Sequence, residues 1–286
     1  MKKSFILLMI TMIIIFTGCQ PQTNVPPPDF SNAPPAGPVP NTNRSGDGTL
    51  SPNTVMTLTI PEGWTLPRIG MELESMGVMT VHEFIDATQN GDFSDFPLVA
   101  KQIPNPNRAF VLEGYLFPDT YQFFFGDPPE AIIRRMLENL EVRITPALRS
   151  AVEESGYTFD EILALASIIE REAFGYPTMG DVSSVLHNRL NIGMQLQCDA
   201  TIVYVEHAIK PFIDGDINRF NDYYNTYTAP GIPPGAIGNP GLDAIRAALF
   251  PNETGYLFFI TAPDGTFHFT PYWEEHVRNV NTYLRD

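Results

Sequence analysis

The chain has 286 residues, 43 % of them hydrophobic and 12 % aromatic. That is enough to bury a core in one large domain or two small ones, which excludes disorder throughout. A formal net charge of -16 with no basic run sets the chain against phosphate backbones and anionic lipid head groups, so no nucleic-acid partner is expected. Sugar polymers fit better, because hydrogen bonds and aromatic faces hold them without charge attraction.

The chain opens with "MKKSFILLMITMIIIFTGCQ", two lysines followed by an apolar run from Phe5 to Phe16 broken only by Thr11. As a helix this run reaches about 18 Å, short of the ~30 Å hydrocarbon core, and it has the form of a signal-peptide apolar region. Residues 1–18 are therefore expected to be removed on export. The "FTGC" ending resembles a bacterial lipoprotein processing site, which implies a mature chain beginning at a lipid-modified Cys19; an uncleaved short anchor is the alternative. Either way the rest of the chain lies outside the cytoplasm. The other cysteine is Cys198, so lipidation of Cys19 leaves no partner for an intramolecular disulfide.

Residues 19–53 are rich in Pro, Asn, Gly, Ser and Thr and form a tether. From Val55 the residues alternate as a short strand. Two helical patterns follow, one with Leu66, Ile69, Leu73 and Met76 on a face and one with Val81, Phe84 and Ile85. This strand-helix-helix unit, residues 54–105, resembles a LysM module, a type that binds the glycan of peptidoglycan; a packing subdomain that touches no sugar fits the same pattern. "PNPN" after Ile103 marks a turn and an expected domain boundary, with a mixed second domain over residues 106–286. There "PPEAIIRRMLENLEVRI" predicts a helix, "GYLFFITAPDGTFHFT" a hairpin turning at Asp264–Gly265, and Thr270–Pro271 the start of a last helix. The "GIPPGAIGNPG" stretch predicts a rigid turn leading into a helix that begins at Pro240. The fold class is α+β.

In "TFDEILALASIIEREAF", Thr158 and Glu161 form a capping box that starts a helix. Steps of 100° put Ile162, Leu165, Ala166, Ile169 and Ala173 on one core-facing stripe. Glu170 and Glu172 fall on opposite borders of that stripe, each roughly 80° from its centre, while Arg171 points away. They are not a pair sharing a proton. A carboxyl at the edge of a core can have its pKa raised and donate a proton near neutrality, or it can simply solvate the helix border. Spacing does not choose between the two glutamates.

Five stretches in order, "EGYLFPDTYQF", "LASIIEREA", "VLHNRLNIGMQLQCDATIVY", "YNTYTAPGIPPGAIGNPGLDAIRAAL" and "YLFFITAPDGTFHFT", resemble the MltG (YceG-like) endolytic murein transglycosylases. The resemblance places the catalytic glutamate at Glu170. It implies cleavage between N-acetylmuramic acid and N-acetylglucosamine by one acid, with closure of a 1,6-anhydro ring instead of attack by water. Gln195, Gln197, Asp199, Tyr224, Asn225, Thr226 and Tyr227 match motifs expected along the cleft, with loop scaffolding as the alternative, and Glu113 would line the cleft or pin a turn. The chain departs from the family at Cys198-Asp199-Ala200, where Ser or Thr then Asp-Pro is common, and in having a lipoprotein-like start in place of a transmembrane helix. Implied partners are peptidoglycan strands, the membrane through a lipid anchor, and synthases acting beside it.

Two rival functions remain at this level. One is a peptidoglycan-binding lipoprotein without catalysis. The other is a thiol hydrolase using Cys198 with His268 or His276. No metal-ligand spacing and no phosphate-cradling loop occurs, so no cofactor is expected.

Overall fold

The computed structural model describes Ser51 and residues 54–284. The expected signal peptide, Cys19 and nearly all of the tether lie outside the described residues. Strand β1 (Val55–Thr59) alternates exposed and buried residues and pairs antiparallel with β2 (Thr120–Phe124), matching buried Met56 to Phe123 and Leu58 to Tyr121. Helices α1 (Leu66–Ser75), α2 (Val81–Asn90) and the short α3 (Pro97–Ala100) lie between these strands in sequence. Thr65 caps α1, and Thr80 with Glu83 forms a capping box on α2, which fixes where each helix begins. The expected strand and two helices are present. Their sheet partner, however, is β2, beyond the boundary expected after residue 105, and one continuous core joins Leu58, Ile69 and Phe84 to Ile133, Ile162 and Ile245.

Helix α4 (Pro129–Arg143) and α5 (Pro146–Ser155) lead to α6 (Phe159–Glu172), which carries both glutamates of interest. The capping box of Thr158 and Glu161 is formed as the sequence predicts. Instead of showing one core-facing stripe, α6 is buried continuously from Ile162 to Glu170. The reason is its central position: α10 (Leu242–Leu249) and α7 (Tyr176–Asn191) both pack on it, and Ala244, Ala247 and Ala248 are small enough to let α10 approach closely. Arg171 is likewise half-buried, not turned to solvent, and its charge acts on Glu113 and Glu172. Helix α8 (Asp199–Tyr204) widens into a π-type turn at Val205–Ile209, and α9 (Asn221–Tyr224) follows.

The hairpin of β3 (Phe258–Thr261) and β4 (Phe267–Thr270) turns where expected, with Gly265 at φ 85° and the Ala262 N–H donating to the Thr266 carbonyl at 2.8 Å. Two helix starts differ from expectation. Helix α11 (Trp273–Tyr283) begins after Tyr272, because Thr270 is taken up in β4, opposite Phe258; the Thr270 hydroxyl still donates to Glu275 at 2.6 Å. Helix α10 begins at Leu242 and not at Pro240, since Gly241 stays extended (ψ 173°) with its N–H turned to another partner. No helix among the described residues is long and apolar enough to cross a membrane.

The turn after Phe110 brings residues 113–116 under the "GIPPGAIGNPG" loop. Gly114 has φ 91°, and a Cβ there would stand 2.6 Å from the Cβ of Ala236. Both the left-handed backbone and the close approach require glycine. Gly114→Ala is expected to cost about 2–5 kcal/mol of folding stability, read as a lower urea midpoint at unchanged slope.

Candidate active site

Helix α6 is set in place by contacts from two loops. Arg108, buried, forms an ion pair with Asp160 at 2.9 Å in the first turn of α6 and donates through Nε to the Pro234 carbonyl at 3.2 Å. Tyr115 donates to the same Asp160 at 2.6 Å. Farther along α6, the Ser167 hydroxyl accepts the Ile237 N–H at 2.9 Å. The proline- and glycine-rich loop is thus tied to α6 at both ends of its first half, and its second half is carried over the last turn of the helix.

That second half contains Asn239, fully buried and not singled out by the sequence. Its Oδ1 accepts the N–H groups of Gly114 at 3.0 Å and Leu116 at 2.9 Å; its Nδ2 donates to the Trp64 carbonyl at 2.9 Å and to Glu113 Oε1 at 3.2 Å. All the hydrogen-bonding capacity of the carboxamide facing inward is used. Backbone bonds double the connection: Gly63 N–H to the Asn239 carbonyl and Asn239 N–H to the Trp64 carbonyl, both 2.8 Å. The only signal available in the sequence is an Asn placed before Pro-Gly in a loop.

Glu113 lies behind this junction. It accepts the Leu66 N–H at the start of α1 at 2.9 Å and the Tyr204 hydroxyl at 3.0 Å. Burial pushes its pKa up to about 8, against the lowering effect of these donors and of Arg171. It joins α1, α8 and the Asn239 turn, and it lies inside the protein.

Glu170, in the last turn of α6, lies in the space between the 61–64 turn and the start of α10. Its side chain is nearly buried, at 8 % exposure; Oε2 accepts the Gly241 N–H at 3.0 Å, and a Cβ on Gly63 would lie 3.6 Å from its Cγ. Burial raises its pKa to about 7; the Gly241 N–H pulls it down, and the charges of Glu62 and Asp243 push it further up. Glu172, half-buried, is also raised to about 7 by burial, but its neighbours are different: Asp199 raises it, and Arg171 and Arg189 lower it. The two carboxyls stand among separate groups, and neither shares a proton with the other.

The other expected site residues gather on the Glu172 side. In residues 195–199, Gln195, Gln197 and Asp199 are exposed while Leu196 and Cys198 are buried. This segment is tied to residues 225–227 by Gln197 N–H to the Thr226 carbonyl at 3.0 Å, Cys198 N–H to Thr226 Oγ1 at 2.9 Å and Tyr227 hydroxyl to Asp199 at 2.7 Å. Gln197 holds φ 52°, uncommon for a residue with a side chain. Asn225 is half-buried, with its Oδ1 accepting the Tyr227 N–H at 3.1 Å. Thr226 and Tyr224 are buried, and the Tyr224 hydroxyl accepts the Ala109 N–H at 3.3 Å. Of these residues, Gln195, Gln197, Asp199 and Tyr227 are exposed, and Glu113, Tyr224 and Thr226 are buried among the loops they join. The Cys198 thiol donates to the Leu196 carbonyl at 3.4 Å, and burial pushes its pKa well above the ordinary thiol value. A thiol in that state is not a nucleophile near neutrality.

Residues 44–282 match the model of the YceG-like family. The chain belongs to the YceG-like family. It is 30 % identical over 236 residues to the endolytic murein transglycosylase of Bacillus subtilis strain 168, covering 79 % of this chain and 65 % of that protein. It is 28 % identical over 246 residues to the endolytic murein transglycosylase of Streptococcus pneumoniae strain D39, covering 80 % of this chain and 44 % of that one. The chain therefore spans between under half and about two thirds of the length of these relatives. Its fold matches the 2.6 Å crystal structure of a putative YceG-like protein from Listeria monocytogenes, with TM-score 0.68 and 30 % identity over 78 % of this chain and 75 % of that one.

Glu113, Glu170 and Glu172 all have folded pKa values above the ordinary 4.5 of glutamate. The folded chain holds these protons more tightly than the unfolded one. Their contribution to stability is therefore greatest below the ordinary carboxyl range and declines as pH climbs toward the folded values, by at most about 1.4 kcal/mol per group per pH unit. Glu113→Gln is expected to make the thermal midpoint fall less steeply than in the parent between about pH 5 and about pH 8. Parallel melting curves for parent and variant would contradict a raised Glu113.

Proposed function

We propose that this chain is an endolytic peptidoglycan lytic transglycosylase in which Glu170 is both acid and base. The carrying observation is the placement of Glu170: on the "SIIEREA" segment at the end of α6, nearly buried, raised to about 7, and touched by one N–H donor. The names of the Bacillus and Streptococcus relatives support the same reaction class.

In this reading protonated Glu170 gives its proton to the oxygen linking N-acetylmuramic acid to N-acetylglucosamine as the C1–O bond breaks. Positive charge develops at C1, and Glu170 is left as carboxylate. The Gly241 N–H, already on Oε2, stabilises that anion. The carboxylate then takes the proton of the muramic 6-hydroxyl, whose oxygen bonds to C1 and closes the 1,6-anhydro ring. Glu170 ends protonated, and no water is consumed. The separate base or nucleophile of ordinary glycosidases is not required. A pKa near the working pH suits a group that must give and then take a proton.

Exposed Gln195, Gln197, Asp199 and Tyr227 are assigned to hold the glycan, with Asn225 at their edge. The strand-helix-helix unit is assigned as a LysM-like glycan contact, with the division at residues 105–106 as its formal limit. A signal peptide, lipidated Cys19 and the tether place the enzyme on the extracytoplasmic face of the membrane, where nascent strands and their synthases lie. A second reading makes Glu172 the acid, favoured by an equal pKa and by its closeness to Asp199.

Glu170→Gln keeps the shape and loses the proton; it is expected to lower cleavage of purified glycan strands by at least about 10³-fold, while Glu172→Gln keeps most activity. Mass spectrometry of the parent's products should find anhydro-muramic ends. The reverse order of the two variants assigns the acid to Glu172, and ordinary reducing ends mean hydrolysis by water.

A further inference from the structure

The 61–64 turn comes from the strand-helix-helix unit, yet it forms one wall around the proposed acid. It is fixed there by Gly63 N–H to the Asn239 carbonyl and Asn239 N–H to the Trp64 carbonyl, both 2.8 Å, and by the Asn239 side chain on Trp64 at 2.9 Å. A Cβ on Gly238 would meet the Gly63 carbonyl oxygen at 2.7 Å, so the two turns touch backbone to backbone. Within this contact Glu62 lays its side chain over Gly241. A Cβ on Gly241 would fall 1.8 Å from Glu62 Oε1 and 2.2 Å from its carboxyl carbon. Gly241 is the residue whose N–H binds Glu170, and its backbone (φ -75°, ψ 173°) is open to any residue. The glycine leaves room for a carboxylate, and no turn demands it.

We propose that Glu62 is a positioning residue of the acid, its carboxylate held against Gly241 so that its negative charge keeps the proton on Glu170 until the glycosidic oxygen takes it. The proposal rests on Glu170 being the acid. Glu62 is exposed, and a like charge beside a carboxyl favours the protonated form of that carboxyl. The charged groups acting on Glu170 are Glu62 from this turn and Asp243 from α10, and Glu62 exerts the larger effect. Asp243 is partly balanced by Arg246 at 3.8 Å. On α6 itself, the charges of Arg171 and Glu172 act on Glu113, Asp199 and each other.

Two substitutions remove the same charge differently. Glu62→Gln neutralises it in place, and Gly241→Ala keeps both Glu62 and the N–H but drives the carboxylate away. In the full chain labelled with carboxyl-¹³C glutamate, the Glu170 signal is identified by its loss in Glu170→Gln and followed by NMR through a pH titration. Both substitutions are expected to lower the Glu170 midpoint by about half a pH unit and to move the alkaline fall of kcat/KM to lower pH by the same amount. A merely structural Glu62 would lower the rate without moving either midpoint. An unmoved Glu170 midpoint in Glu62→Gln, with the parent still releasing anhydro ends, overturns the role of Glu62 alone. A moved midpoint in a chain that cuts no glycan upholds the coupling and removes the proposed function instead.

Discussion

The site depends on one buried carboxamide. Asn239 joins three turns that are far apart in sequence, 63–64, 113–116 and 238–241, through its carboxamide and its own backbone N–H and carbonyl. A buried amide that satisfies all its bonds contributes little net energy per bond, but leaving its partners unpaired costs about 1–3 kcal/mol for each. The consequence is a geometry with few alternatives. Glycine at 238 lets the turns meet, and Gly241, with extended backbone, arrives with its N–H aimed at α6. The acid's surroundings are thus fixed from outside its own helix.

Desolvation by the same packing sets the proton affinities. Glu113, Glu170 and Glu172 are each raised mainly by burial, and each is opposed by different groups: backbone and hydroxyl donors with Arg171 for Glu113, one backbone N–H for Glu170, two guanidinium groups for Glu172. Glu113 has its oxygens occupied by Leu66, Asn239 and Tyr204, which suits a group that joins elements and does not exchange protons with a substrate. Glu170 has a single donor, on Oε2.

Local features of the fold were legible in the sequence because they are fixed by nearby residues. The capping box at Thr158 and Glu161, the strand at Val55 and the hairpin at Asp264–Gly265 depend on groups within a few positions of one another. The helix starts expected at Pro240 and at Pro271, capped by Thr270, differ from the structure for the opposite reason: a distant carboxylate claims the Gly241 N–H, and a strand pairing claims Thr270. The full burial of α6 was hidden too, since alanines suit an edge stripe as well as a close helix contact. Asn239 and Glu62 carry no periodic signal at all; their importance lies in contacts across more than a hundred positions.

Two glutamates with the same pKa, two residues apart, differ in what surrounds the anion. On the proposed mechanism the acid must become a carboxylate for the moment between proton donation and ring closure. Glu172 has Asp199 raising its pKa and Arg171 and Arg189 lowering it, so two cationic neighbours favour its anion while burial and Asp199 keep it protonated. Glu170 has one N–H on one side and a neighbouring negative charge on the other, so its anion is tolerated briefly and gives way again to the protonated form. A group that returns the proton to itself in the same turnover needs that balance, because a strongly stabilised carboxylate would be a weak base toward the 6-hydroxyl. The distinction between the two residues lies in the charges around each one, which the 61–64 turn and α10 set for Glu170.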